Sequence, residues 1–264
     1  MDFAGYKTLK FDYRERVLWV TIDGNGSMNP VDDDLHRELA RVFPELQTDP
    51  DSDVIVLTGA GRAFCAGGDM AWFQEMIDQP EKFRAIVPDA KRIIFGLLEL
   101  EKPIVCRMNG AAAGLGASIA LLCDIIVADE TAKIGDPHVS MGLVAGDGGA
   151  IIWPQLIGYA RAKELLMTGA LISAREAAEM GLINHAVPAD QLDAKTDEIV
   201  GKLANGAKWA IRWTKTAINL PLRELATKIT DAAVAYEILS NMHPDHQEAV
   251  TAFLEKRAPR FGGE

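Results

Sequence analysis

From Pro103 to Asp124 the chain reads PIVCRMNGAAAGLGASIALLCD, and the chemistry of this stretch lies in its backbone. An apolar, β-branched start (Ile104, Val105) stops at Asn109-Gly110, and the small residues Ala111 to Ala117 lead into an apolar helix ending near Cys123. The first amides of a helix have no intrahelical acceptor and carry the positive pole of its dipole, and glycine and alanine let a ligand oxygen approach them. Such a turn can hold an oxyanion. The same small residues would also serve simply to pack a helix tightly on a sheet, and a lone glycine-rich turn does not separate the two. A second turn of this kind, GAGRAFCAGGDM (Gly59 to Met70), follows the buried strand Asp53 to Thr58 and opens a helix from about Asp69.

The elements that must position these turns follow one order. Lys7 to Arg14 and Val17 to Asp23 alternate as two strands joined by a tight turn, and GNGSMNP (Gly24 to Pro30) is a loop by composition. Asp32 to Gln47 places Leu35, Leu39, Val42, Phe43 and Leu46 at helical spacing. Strand, loop and helix recur at Asp53, at Pro103 and again from Asp124 to Gly149, which predicts an α/β spiral of sheet and helix units. After Gly149 the chain turns helical. Ala150 to Leu156 and Ala160 to Thr168 fit helices, Ser173 to Glu176 is a capping box, and Leu182 to Val187 is a short strand. Four further helices (192 to 203, 209 to 220, 224 to 239, 245 to 256) are separated by Asn205-Gly206, Pro221 and Pro244. The organisation expected is a spiral core over residues 1–195 and a helical module over 196–264, packed on the core or on a neighbouring subunit.

At 264 residues, 48% hydrophobic and 25% charged, the composition is that of an ordinary globular protein. No apolar run approaches the ~20 residues of a membrane span and MDFAGYKTLK lacks a signal peptide's apolar centre, so a cytoplasmic protein is expected. Cys65, Cys106 and Cys123 are too widely spaced for a disulfide framework or a zinc site, and no metal is expected. A net charge of -11 without a Lys/Arg cluster argues against nucleic acid.

The two turns, Ala66-Gly67-Gly68-Asp69 and Asn109 through Gly116, resemble the paired oxyanion hole of the crotonase superfamily, the enoyl-CoA hydratase/isomerase family. Further matches are Leu57 to Asp69, CDIIVADE from Cys123, GLVAGDGG from Gly142, ARAKELLMTG from Ala160 and FLEKRAPRF from Phe253, in order along nearly the whole chain. The resemblance implies the crotonase (ClpP-like) fold of strand-strand-helix units, assembly as trimers or dimers of trimers, and oxyanion amides at Gly68 and Leu115. It also implies coenzyme A as part of the substrate, with Lys256 and Arg257 near the nucleotide and Arg62, Ala66 and Asp69 around the first turn; a free β-diketone is the alternative, since GNGSMNP lacks basic residues before Asn29.

Hydratases of the family use two glutamates to activate water, and at their positions this chain carries Ser118 and His138. A serine is no base at neutral pH. What remains is His138 with Asp147 nine residues on, and a histidine oriented by a carboxylate is a standard general base. The spacing and GDGGAIIWPQLIG resemble the β-diketone hydrolase branch typified by 6-oxocamphor hydrolase, whose further active-site histidine and glutamate fall on His36 and Glu237. Against these roles stand a structural histidine at 138, a helix N-cap at Asp147 and a surface position for His36 after three aspartates. His185, His243 and His246 read as loop or surface residues without a role. Met70, Trp72, Met76 and Phe83 are pocket or core. The expected activity is hydrolytic carbon–carbon cleavage of a β-keto substrate by a His-activated water, with enoyl-CoA hydration or non-catalytic acyl-CoA binding as alternatives.

Overall fold

The computed structural model describes residues 3–262. β1 (Leu9–Arg14) and β2 (Val17–Ile22) form the expected antiparallel hairpin, and β3 (Val54–Gly59), β5 (Ile104–Met108), β7 (Ile125–Asp129) and β10 (His185–Val187) extend it in parallel to six strands in the order β1-β2-β3-β5-β7-β10. VIVLTG of β3 is buried at every position because helices cover both faces of this sheet. Leu18, Ile55, Leu57 and Ile104 pack with the apolar stripe of α1 (Asp33–Thr48) and with α3 (Pro80–Glu99). Val17, Trp19, Val54, Val56, Val105 and Val127 pack on the other side against Leu192, Ile199 and Val200 of α7 (Leu192–Ala204).

Three strands of the large sheet, β3, β5 and β7, are each followed by a short strand where the sequence suggested only a turn. β4 (Ala63–Cys65), β6 (Ala111–Ala113) and β8 (Lys133–Gly135) pair in parallel, and β9 (Leu171–Ser173) closes this small sheet antiparallel to β8. Strand, short strand, helix is therefore the repeating unit: β3, β4, α2 (Met70–Asp78); β5, β6, α4 (Leu115–Leu122); β7, β8, α5 (Gly149–Thr168). Between β2 and α1, ahead of these units, the short strand shrinks to one bridge, Val31 to Gly68. The capping box at Ser173 and Glu176 starts α6 (Ala174–Glu179) as read from sequence.

One expectation about helix ends holds and one is corrected. The helices expected at Ala150 to Leu156 and Ala160 to Thr168 are the two arms of α5, broken at Gly158, whose φ of 76° only glycine adopts without strain. Pro221 interrupts nothing: α8 (Lys208–Asn241) runs through it. Proline removes one backbone hydrogen bond, but Ala226, Thr230 and Val234 are buried beyond it and Lys215, itself buried, pairs with Asp124 at 2.8 Å and donates to Lys102 O at 2.9 Å, so packing on both sides of the proline holds the helix in line. α9 (Pro244–Leu254), the last helix among the described residues, packs against α2. The tail after residue 195 is thus layered directly on the spiral, through α7 on the sheet and α8 on α3 and α5. No helix among the described residues is long and apolar enough to cross a membrane.

Candidate active site

The two glycine turns meet at the edge of the small sheet. Val31 N–H donates to Gly67 O at 2.8 Å and Asp69 N–H donates to Val31 O at 2.9 Å, which fixes the residues on either side of Gly68 and leaves the Gly68 N–H without an acceptor among the described residues. Leu115 is the first residue of α4, so its N–H is one of the helix's unpaired donors. The geometry depends on glycine at the entry to α4: a Cβ at Gly116 would stand 2.1 Å from Cys65 O. At Gly67, with φ +88°, a Cβ would lie 3.0 Å from Ala113 O, which is how closely the two turns abut.

Behind these amides lies a group of buried ionisable side chains. His138 opens a 3-10 turn (His138–Met141). Its Nδ1 is hydrogen-bonded to the carboxylate of Asp136, and its Nε2 stands 3.4 Å from Asp147 Oδ2. Asp147 in turn accepts from Ser118 Oγ at 3.3 Å. Burial alone would lower the His138 pKa, but the flanking carboxylates of Asp136 and Asp147 outweigh it and hold the ring well above its ordinary value, as imidazolium. Glu237 of α8 is buried beside them. Desolvation, with the charge of Asp147 adding and that of His138 opposing, pushes its carboxyl up to about 8. His36 is neutral, its pKa lowered by burial to about 4.

Two cavities flank this group. An inner one of about 50 Å³ is walled by Trp72, Met76, Phe83, Ile86, Val87 and Val234 and is reached by His36, Leu115, Asp147 and Glu237. An outer cleft of about 450 Å³ is lined by Met28, Ala66, Gly67, Asp69, Met70, Gly114, Met141 and Phe253. Gly68, Phe73 and His138 line both.

The structure thus brings Gly68, Leu115, His138, Asp147, Glu237 and His36 around one cavity, and it corrects several details. The carboxylate that holds His138 by Nδ1 is Asp136, which the sequence reading passed over; its position two residues before the histidine was the only signal. Asp147 is not a helix cap, since α5 is capped by Gly148 without a side-chain bond. His36 is 3% exposed, not a surface residue, because α1 buries this face as well as its leucines; its ring lies 5.5 Å from that of Trp72. His246 is also fully buried, with Nδ1 2.6 Å from Met141 O. His243 caps α9 and His185 is half-buried in β10.

Among the basic residues expected near a nucleotide, Arg62 is directed at Ser27 Oγ, 3.3 Å away and outside both cavities, and Arg257 is paired with Glu248 at 2.9 Å and Glu255 at 2.6 Å. The Arg257 charge is thereby shared with two glutamates. Lys256 is exposed, with φ +56°. Ala66 and Asp69 do line the outer cleft, yet the Asp69 carboxylate is engaged as N-cap of α2, accepting from Ala71 N at 2.9 Å and Trp72 N at 3.1 Å. Donor atoms of Asp136, His138 and Asp147 lie within 4.8 Å of one another, a spacing a cation could bridge, but the two carboxylates face opposite nitrogens of the ring and use the imidazolium as their counter-charge.

The family model for enoyl-CoA hydratase/isomerase matches residues 12–264. The chain is 32% identical to a crotonyl-CoA hydratase of Syntrophomonas wolfei, over 97% of its own length and 98% of the relative's. Among solved structures, an enoyl-CoA hydratase/isomerase from Mycobacterium paratuberculosis superimposes with a TM-score of 0.89 at 36% identity, covering 93% of this chain and 98% of that one. A β-diketone hydrolase from the cyanobacterium Anabaena, bound to (S)-3-oxocyclohexyl acetic acid, superimposes with a TM-score of 0.84 at 30% identity, covering 91% and 96%. Fold, paired glycine turns and these similarities agree: the chain belongs to the enoyl-CoA hydratase/isomerase family, the crotonase superfamily.

Proposed function

We propose that the protein hydrolyses the carbon–carbon bond of a β-dicarbonyl substrate carried as a coenzyme A thioester. The observation that carries this reading is the clamped histidine: His138 between Asp136 and Asp147, with Ser118 rather than a carboxylate beside it. The thioester oxygen binds to the N–H groups of Gly68 and Leu115, each such donor being worth about 3 kcal/mol of barrier. A water lying before Asp147 loses its proton to that carboxylate, because His138, already imidazolium, has no free lone pair and serves to orient and balance it; their 3.4 Å contact is longer than the common range of about 2.7–3.2 Å and leaves room for a third partner. Asp136 holds the ring and balances its charge from the Nδ1 side.

The hydroxyl oxygen bonds to the β-carbonyl carbon, the bond between the α- and β-carbons breaks, and its electron pair becomes the thioester enolate in the oxyanion hole. Glu237, neutral at pH 7, gives its proton to the α-carbon and is reprotonated from the His138–Asp147 pair. The products are a carboxylic acid and a shorter thioester. His36, neutral and in the same cavity, offers the substrate a hydrogen bond without a charge. The outer cleft takes the coenzyme A portion. Exposed Trp209, Trp213, Tyr236, Leu239 and Met242 along α8 support association into trimers, which light scattering tests.

Turnover of a β-ketoacyl-CoA panel in ¹⁸O-water should place one heavy oxygen in the released acid; intact thioesters across the panel, at high enzyme concentration, would remove the reading. The similarity to a crotonyl-CoA hydratase favours a second reading, addition of water to a trans-2-enoyl-CoA. Decay of the enoyl absorbance with short and medium chains identifies that activity.

A further inference from the structure

Phe73 stands where the two cavities join, lining both. Its ring rests on the backbone of Gly68 so closely that a Cβ at that position would lie 2.1 Å from Phe73 Cζ. The other side of the ring meets the His246 imidazole edge-on, with centroids 5.5 Å apart and planes at 76°. The α2 backbone beneath it is tied down at several points. Asp69 caps its start, Gln74 and Gln247 exchange two amide hydrogen bonds of 3.1 and 3.0 Å with α9, and Asn241 Nδ2 donates to Met76 O at 3.2 Å. With the helix held, the phenyl ring is the part of this shared wall that is free to turn.

Resting on the reading of the outer cleft as the coenzyme A site and the inner cavity as the acyl site, we propose that Phe73 is a specificity-determining gate that sets the length of acyl group accepted. A two-carbon acyl group ends at the oxyanion amides and leaves the ring in place. A longer one must turn the ring away from Gly68 and His246, losing those contacts before it gains any in the apolar chamber of Trp72, Met76, Phe83 and Val234. Glycine at 68 is part of the same device, since a methyl group there and the phenyl ring cannot both occupy the space.

The test uses saturated acyl-CoA thioesters from acetyl to octanoyl as inert probes, with dissociation constants from calorimetry on the full-length protein. Phe73→Ala should bind acetyl-CoA as the wild type does and hexanoyl-CoA at least tenfold tighter, with affinity rising by up to about fourfold per added methylene where the wild type rises less. Phe73→Leu, which keeps an apolar side chain and guards against misfolding of the alanine variant, should fall between them. Gly68→Ala should push the ring aside and shift the preference the same way, and should add little to Phe73→Ala in the double variant. Parallel chain-length profiles in wild type and Phe73 variants, or full additivity of the two substitutions, overturn the gate. Binding of none of the thioesters overturns it together with the coenzyme A reading, whereas binding without cleavage of β-keto esters overturns only the proposed reaction.

Discussion

Replacing Glu237 with glutamine should make the protein more stable and less active, by amounts that depend on pH in opposite ways to an ordinary surface change. A carboxyl whose pKa rises from 4.5 to about 8 on folding binds its proton more tightly in the folded chain than in the unfolded one. Between those two values the unfolded state has released a proton that the folded state keeps, so stability falls as pH rises from 4.5 to about 8. About 2.5 pH units of that window lie below pH 7, at about 1.4 kcal/mol each, which gives a penalty of about 3 kcal/mol at neutral pH. Glutamine resembles the protonated acid in shape and carries no such penalty. The Glu237→Gln protein should match the wild type near pH 4.5 and exceed its melting temperature by roughly 6–12 °C at pH 7, taking about 2–4 °C per kcal/mol for a chain of this size. Thermal unfolding of both proteins in a buffer series from pH 4.5 to 8 measures the difference directly. A difference that does not grow with pH refutes the assignment of a neutral Glu237, and with it the proton donor. Turnover should fall at least about 100-fold in the same variant, as expected when a general acid is removed.

Wild-type kcat/KM should decline above about pH 8 as Glu237 loses its proton, a limb visible in a steady-state pH profile and absent if another group is the donor. His138→Ala should lower turnover at least about 100-fold with the circular dichroism spectrum unchanged, and Asp136→Asn should cost about 10²–10⁴-fold by freeing the ring, with the His138 resonance in NMR titrations moving down toward its ordinary pKa. Far from the site, Asp124→Ala leaves the buried Lys215 ammonium without its anion and should cost about 3–5 kcal/mol in denaturant unfolding.

What could be read from the sequence was what short-range chemistry dictates. The two glycine turns were legible because only glycine permits the close approaches at Gly67 and Gly116, and the Ser173 capping box because both partners lie within one turn. His138 and Asp147 were legible as chemistry, though their geometry was not: which carboxylate meets which ring nitrogen depends on β8 entering the small sheet beside β6, a contact between residues far apart in the chain. His36 looked solvated because Asp32, Asp33 and Asp34 precede it, yet those residues serve the helix N-terminus while the next turn is buried, Glu38 included, whose carboxylate accepts from Lys7, Thr8 and Leu9 amides. His246 follows a proline at a helix start, and nothing local announces that Phe73 and Met141 enclose it. The short strands β4, β6 and β8 are three residues each, too brief to leave a period, and Pro221 misled because its local penalty is offset by burial that only the fold reveals.

The departure from the two-glutamate pattern of the family is best understood as a change in where protons reside. Ser118 is fully buried, donates to Asp147, and lies against the Gly148 backbone, where a Cβ would be only 3.1 Å from its own. A glutamate in its place would crowd that backbone and set a third carboxylate beside Asp147. Without it, two carboxylates share one imidazolium, so burial first and the single net negative charge facing it second keep Glu237 protonated at neutral pH. Addition of water to a double bond needs one group that removes a proton and returns it to the neighbouring carbon. The proposed cleavage of a carbon–carbon bond benefits from a separate acid already loaded before the enolate forms, and in that proposal Glu237, buried beside the Asp136–His138–Asp147 unit, is the group that carries the second proton.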